Sequence, residues 1–112
     1  ESLVENSAKM GGLMLEQLNS LTDHPTVGDV RGLGLMCAVE LVSNKETKRS
    51  LYENTEAIKL LNQKITESGL YTRVGRQVFF APPLNVTESD ISQMIKIFED
   101  ALTETERVLK LG

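Results

Sequence analysis

The eight residues Leu35-Met36-Cys37-Ala38-Val39-Glu40-Leu41-Val42 constrain the fold most, because every one except Glu40 is apolar. A continuous run of this length reads as a strand, and one so uniformly apolar is expected to be covered on both faces. Just before it, Val27 to Leu33 reads as a shorter strand punctuated by Gly28, Gly32 and Gly34. A nucleotide-cradling loop would run from a strand into a helix N-terminus. Here Gly32-Leu33-Gly34 runs from strand to strand, so the glycines predict a tight turn or a bulge instead. Arg31 and Glu40 carry charge into this pair and are expected to pair across the sheet or lie at its edges. Cys37 is expected to be a small buried hydrophobe.

A second stretch, Gly69 to Leu84, organises the C-terminal half. Two apolar runs flank a Gly75-containing turn, and Pro82-Pro83 closes them, since proline cannot continue a sheet interior. Arg73 lies where the first run meets the turn. A guanidinium on a turn held by a packed sheet suits a carboxylate or phosphate, because its planar fork meets two oxygens at once. A merely solvated surface arginine is the alternative.

Helices complete the pattern. Val4, Ala8, Gly11, Leu15 and Leu18, flanked by Leu3, Met10, Met14 and Leu21, predict a helix over residues 2 to 21. Gly11-Gly12 interrupts it and suggests another element packed close against the bare backbone. His24-Pro25 ends the helix, and His24 is expected to be a turn or capping residue. Polar Ser43 to Leu51 reads as a surface loop. A second helix follows, with Asn54 or Thr55 as cap, Ala57, Ile58, Leu61 and Ile65 inward, and Gly69 just beyond its end. Thr87 with Asp90 resembles a capping box, and Ile91, Met94, Ile95, Phe98, Ala101, Leu102, Val108 and Leu109 give a long one-sided helix after it. The expected fold is α+β: a small, mostly antiparallel sheet of about four strands with three helices packed on it.

With 112 residues, 40% of them hydrophobic, the chain can bury one ordinary core, so residues 1–112 are expected to be a single domain. The net charge of −4 disfavours nucleic acid and anionic membranes, and the absence of Trp disfavours base stacking. Cys37 is the only cysteine, which excludes an internal disulfide and fits a reducing, cytoplasmic setting. No apolar run is long enough to cross a bilayer. Paired carboxylates, metal-ligand clusters, a nucleophile with a base and a cofactor motif are all absent, so no metal is expected. The chain opens on Glu1 and reads as helix almost at once, as a piece of a longer protein would.

Two segments carry a resemblance. His24 to Val42, with Arg31-Gly32-Leu33-Gly34-Leu35-Met36 at its centre, is similar to the segment that opens the small C-terminal domain of class III, pyridoxal-phosphate-dependent aminotransferases. Phe80-Ala81-Pro82-Pro83-Leu84-Asn85-Val86-Thr87, followed by Asp90-Ile91, resembles that family's closing motif, in matching order and separation. The resemblance covers essentially the whole chain. It implies the C-terminal small domain of a fold-type I, homodimeric enzyme that moves an amino group between an amine or amino acid and an oxo acid.

In that family the lysine that holds pyridoxal 5'-phosphate belongs to a large domain absent here. The resemblance therefore implies no catalytic or cofactor-binding residue in this chain, which should be inactive alone and form part of the substrate pocket. Among relatives similar to omega-amino acid:pyruvate transaminases, an arginine three residues before the glycine of the penultimate strand pair grips the substrate carboxylate. Arg73, two residues before Gly75, is the counterpart the resemblance implies, with Arg76 in reserve. Phe79 stands where the ornithine, acetylornithine and 4-aminobutyrate branch carries an arginine, which argues against those substrates. A relative that racemises its substrate or shifts the amino group within one molecule fits equally well. Independently of the resemblance, a free-standing, non-enzymatic interaction or regulatory module remains the alternative.

Overall fold

The computed structural model describes residues 2–33, 36–69, 74–81 and 86–109. The apolar run forms the central strand β2 (Met36–Asn44), flanked antiparallel by β1 (Val27–Leu33) and β4 (Gln77–Phe80). Cys37 to Glu40 pair with both neighbours, so β1 and β4 occupy opposite edges of β2. The pairing Leu33↔Met36 makes the passage from β1 to β2 strand-to-strand, as the glycine spacing requires.

Side chains alternate along β2. Cys37, Val39 and Leu41 are buried against the helices, whereas Met36 is 49% exposed and Glu40 is half-buried on the opposite face. Among the described residues, the expectation that this strand is covered on both faces is therefore not met. Its outer face is open, with Phe79 of β4 also 52% exposed. Val42 breaks the alternation and is buried. The register slips between Val27 and Asp29, leaving Gly28 as the extra residue of a bulge. A Cβ at Gly28 would stand 2.6 Å from Val42 Cγ1, so the missing side chain is what lets Val42 lie down on the strand.

The segment Ser43 to Leu51, expected as a loop, instead extends the sheet. The strand β2 runs on to Asn44, and the chain returns as β3 (Arg49–Ser50), pairing Val42 with Ser50 and Asn44 with Arg49. Asn44 Oδ1 accepts the backbone N–H groups of Glu46 at 2.8 Å and Thr47 at 3.1 Å, an Asx turn that needs no apolar signal. Lys48 closes the turn at φ 58°. This short strand is the fourth of the sheet. Of the first run in the expected second strand pair, Val74 makes a single antiparallel bridge to Val78, and Leu70 to Arg73 lie outside the described residues.

Three helices cover the inner face: α1 (Ser2–Asn19), α2 (Thr55–Glu67) and α3 (Glu88–Leu109). Their ends obey local chemistry. Asn54 Oδ1 accepts the Ala57 N–H at 3.1 Å to start α2, and Gly69 at φ 88° follows its end, donating to Thr66. Thr87 and Asp90 exchange backbone-to-side-chain hydrogen bonds of 3.2 and 3.1 Å, the expected capping box.

The stripe of α1 is rotated from the expected one. Met10, Met14 and Leu18 are buried, Leu15 is half-buried and Ala8 is exposed. The helix continues through its two glycines; Gly11 is buried, and at Gly12 nothing among the described residues lies within 4 Å of the Cβ position, so the close packing expected of the pair is not found at Gly12. On α3 the inner face is Ile91, Ile95, Phe98, Ala101 and Leu102, and it continues through Thr105 rather than the 48% exposed Val108. Thr105 is tolerated because its hydroxyl donates to the Ala101 carbonyl at 2.8 Å. Phe98 meets Phe80 edge-on at 5.1 Å between ring centroids, tying α3 to β4. Full burial of a ring such as Phe98 contributes about 1.5–3 kcal/mol.

Candidate functional site

With helices on one face of the sheet, a concavity lies at the corner where β2, β3 and β4 meet. It encloses about 770 Å³ and is lined by Glu40, Lys48, Arg49, Tyr52, Arg76 and Phe79, among others. Each wall has a local cause. The Asx turn at Asn44 presents Lys48 and Arg49. A short 3-10 turn, Leu51–Glu53, then buries Leu51 and leaves Tyr52 outward; Ser50 Oγ accepts the Tyr52 N–H at 3.2 Å and holds that turn. Opposite, the Arg76 carbonyl accepts the Leu41 N–H at 3.1 Å, which fixes the backbone of Arg76 against β2 one residue before β4.

The charges sort themselves. Arg49 donates to Glu53 at 3.0 Å, and Glu40 faces Arg31 across β1 and β2 at 3.8 Å, where Arg31 also donates to Asp29 at 3.0 Å. The expected cross-sheet pairing of Arg31 and Glu40 is thus present. Among the described residues no carboxylate pairs with Lys48 or Arg76. The Arg76 guanidinium instead lies over the Tyr52 ring, 5.6 Å from its centroid. Its planar fork is oriented by an aromatic face while its N–H groups remain available to an oxygen-bearing anion. An exposed groove with an aromatic wall and two cations can bind and orient a carboxylate.

Among the described residues lining it there is no cysteine, histidine or serine paired with a base. No group of described residues could hold a metal ion. Cys37 is buried on the inner face, and burial pushes its thiol up, away from a reactive thiolate. His24 lies elsewhere, with both ring nitrogens engaged by carboxylates of α3.

The fold is one that comparison with known proteins also finds. The profile of the family described as aminotransferase class-III matches residues 1–102. The chain belongs to the class-III aminotransferases. An adenosylmethionine-8-amino-7-oxononanoate aminotransferase of Methanocaldococcus jannaschii is 34% identical over 107 residues, covering 95% of this chain and 23% of the relative. A taurine–pyruvate aminotransferase of Bilophila wadsworthia is 33% identical, covering 96% of this chain and 25% of its own length. The crystal structure of an omega transaminase from Pseudomonas jessenii, in complex with PMP, superposes with a TM-score of 0.88 at 36% identity, over 99% of this chain and 25% of that one. This class-III chain therefore spans about a quarter of the length of the relatives it matches. Membership in an enzyme family favours the enzymatic reading over a non-enzymatic module.

Of the two arginines singled out in this class-III sequence, Arg76 is in the groove, and Arg73 lies outside the described residues. Sequence reasoning missed Tyr52 and Lys48. Neither residue stands in a motif; Tyr52 meets Arg76, and Lys48 lines the same groove, because of the β2–β3 hairpin that the sequence reading took for a loop.

Proposed function

We propose that this chain is the C-terminal small domain of a pyridoxal-phosphate-dependent transaminase, and that its corner groove forms one wall of the substrate pocket. In the intact enzyme it would grip the carboxylate of an omega-amino acid or of an oxo acid such as pyruvate while amino-group transfer proceeds elsewhere. Arg73 is the proposed grip and Arg76 the reserve. The observation that carries the reading is the Arg76 guanidinium, fixed over Tyr52 in an open groove beside the sequence stretch that resembles the family's carboxylate-binding corner. A charge-assisted fork of this kind contributes about 2–3 kcal/mol to binding.

The cofactor would be held outside this chain. Pyridoxal phosphate supplies an electron sink, and it needs a lysine for its Schiff base in a site sheltered from water. Lys48, the lysine of the groove, stands exposed on a turn, so the described residues of this chain do not fit the cofactor. A large domain of the same polypeptide is proposed to provide that lysine, within a homodimer in the cytoplasm. No described helix is long and apolar enough to cross a membrane.

The open outer sheet face, with Met36 and Phe79 half exposed, supports the same reading, since apolar side chains on a sheet gain by being covered. Assay of the intact polypeptide with a panel of amines and omega-amino acids, against pyruvate and 2-oxoglutarate, tests the proposal. Transfer to pyruvate that depends on Arg73 or Arg76 supports it, and no transfer from any donor overturns it.

A further inference from the structure

The proposed function makes no use of the chain's single histidine. His24 caps the 3-10 turn Ser20–Asp23 that follows α1; its N–H donates to Leu21 O at 2.9 Å and its carbonyl accepts from Val27 at 3.2 Å. It is a turn residue, as expected. Its side chain does something the turn does not require. The imidazole is largely buried and spans two carboxylates of α3: Nδ1 lies 2.9 Å from Glu106 Oε1, and Nε2 lies 3.2 Å from Glu99 Oε2. Glu106 is itself only 11% exposed, and its second oxygen accepts the hydroxyl of buried Thr26 at 2.5 Å.

Proton counting decides what this arrangement is. A neutral imidazole carries one N–H, so it can donate to one carboxylate and must turn a lone pair toward the other. Only the imidazolium donates to both at once. We propose that His24, Glu99 and Glu106 form a proton-held latch that fastens the entry of β1 to the C-terminal half of α3 and loosens when the imidazole loses its proton.

The surroundings leave the two glutamates in control. The charges acting on His24 are those of Glu106 and Glu99, both from α3. Asp23, its chain neighbour, is exposed; Lys45 of the β2–β3 turn donates to the Thr22 carbonyl, and Arg107 turns to Glu104. Burial alone would push the imidazole down, but hydrogen bonds and charge from Glu106 and Glu99 outweigh it and hold it above its usual 6.5. A folded value above the unfolded one means the latch contributes its full stability below about pH 6.5 and loses it as pH rises through the folded value. A metal is not the occupant, because the ring nitrogens face opposite carboxylates and no described cluster could hold one.

The test is a nuclear magnetic resonance titration of the His24 ring nitrogens in the intact polypeptide, their signals identified by their loss in His24→Gln, beside urea unfolding from pH 5.5 to 9. The latch predicts a ring more than half protonated at pH 6.5, a downward shift of its titration in both Glu106→Gln and Glu99→Gln, and a His24→Gln stability deficit that shrinks as pH rises. Glu99→Gln alters a half-exposed group and keeps the test available if the Glu106 variant does not fold. Titration at or below 6.5 in the native chain, or a His24→Gln deficit that is the same across the range, overturns the proposal.

Discussion

The guanidinium of Arg76 lies 5.6 Å from the centroid of the Tyr52 ring, bringing together two groups from opposite walls of the corner groove. Tyr52 is 49% exposed, so the contact is worth about 0.5–1 kcal/mol. Tyr52→Ala is expected to lower stability by about that amount, and Tyr52→Phe, which keeps the ring face, to lower it less. Urea midpoints of the two variants check this. Equal losses would show that the phenol hydroxyl, rather than the ring, matters.

Gly28 and Gly12 are expected to respond to alanine in opposite senses. At Gly28 the added Cβ meets Val42 Cγ1 at 2.6 Å, and a β-branched side chain in a strand has little room to turn. Gly28→Ala should cost about 1–3 kcal/mol by overpacking. At Gly12, inside α1 with nothing within 4 Å, alanine should stabilise by about 0.5–1 kcal/mol. Thermal or urea unfolding of the two variants reads out both signs.

Thr87→Ala removes the hydroxyl that accepts the Asp90 N–H at 3.1 Å. Loss of such a cap costs about 1 kcal/mol. The loss should be accompanied by faster amide exchange in the first turn of α3, where the freed N–H group sits. Unchanged exchange at Asp90 would count against the cap.

Much of this architecture was legible because its causes are local. The Asn54 cap, the Thr87–Asp90 box and Gly69 each act within three residues, so composition at the helix ends was enough. The fold class followed from strand and helix periods that the structure bears out. The face of α1 was less legible, since Met10 and Met14 compete with Ala8 and Leu15 for the inner side and only the sheet beneath decides. The hairpin at Arg49–Ser50 was invisible because its turn is built from side-chain oxygen bonds rather than apolar alternation.

Long-range partners escaped entirely. Glu99 and Glu106 stand 75 and 82 residues from His24, and nothing in the local sequence announces either. Tyr52 likewise meets Arg76 only because the hairpin and β4 converge on β2. The family resemblance offered Arg73, with Arg76 in reserve, from motif spacing alone; the aromatic wall beside Arg76 is visible only in three dimensions.

The most direct test is steady-state kinetics of the intact polypeptide carrying Arg73→Ala or Arg76→Ala, with pyruvate and with a neutral amine. If this domain supplies the carboxylate grip, one of the two variants raises the KM for pyruvate by roughly 30- to 150-fold, as expected for losing a charged two-pronged contact, and leaves the KM for the amine nearly unchanged. Equal effects on both substrates in both variants, or no effect in either, would contradict it.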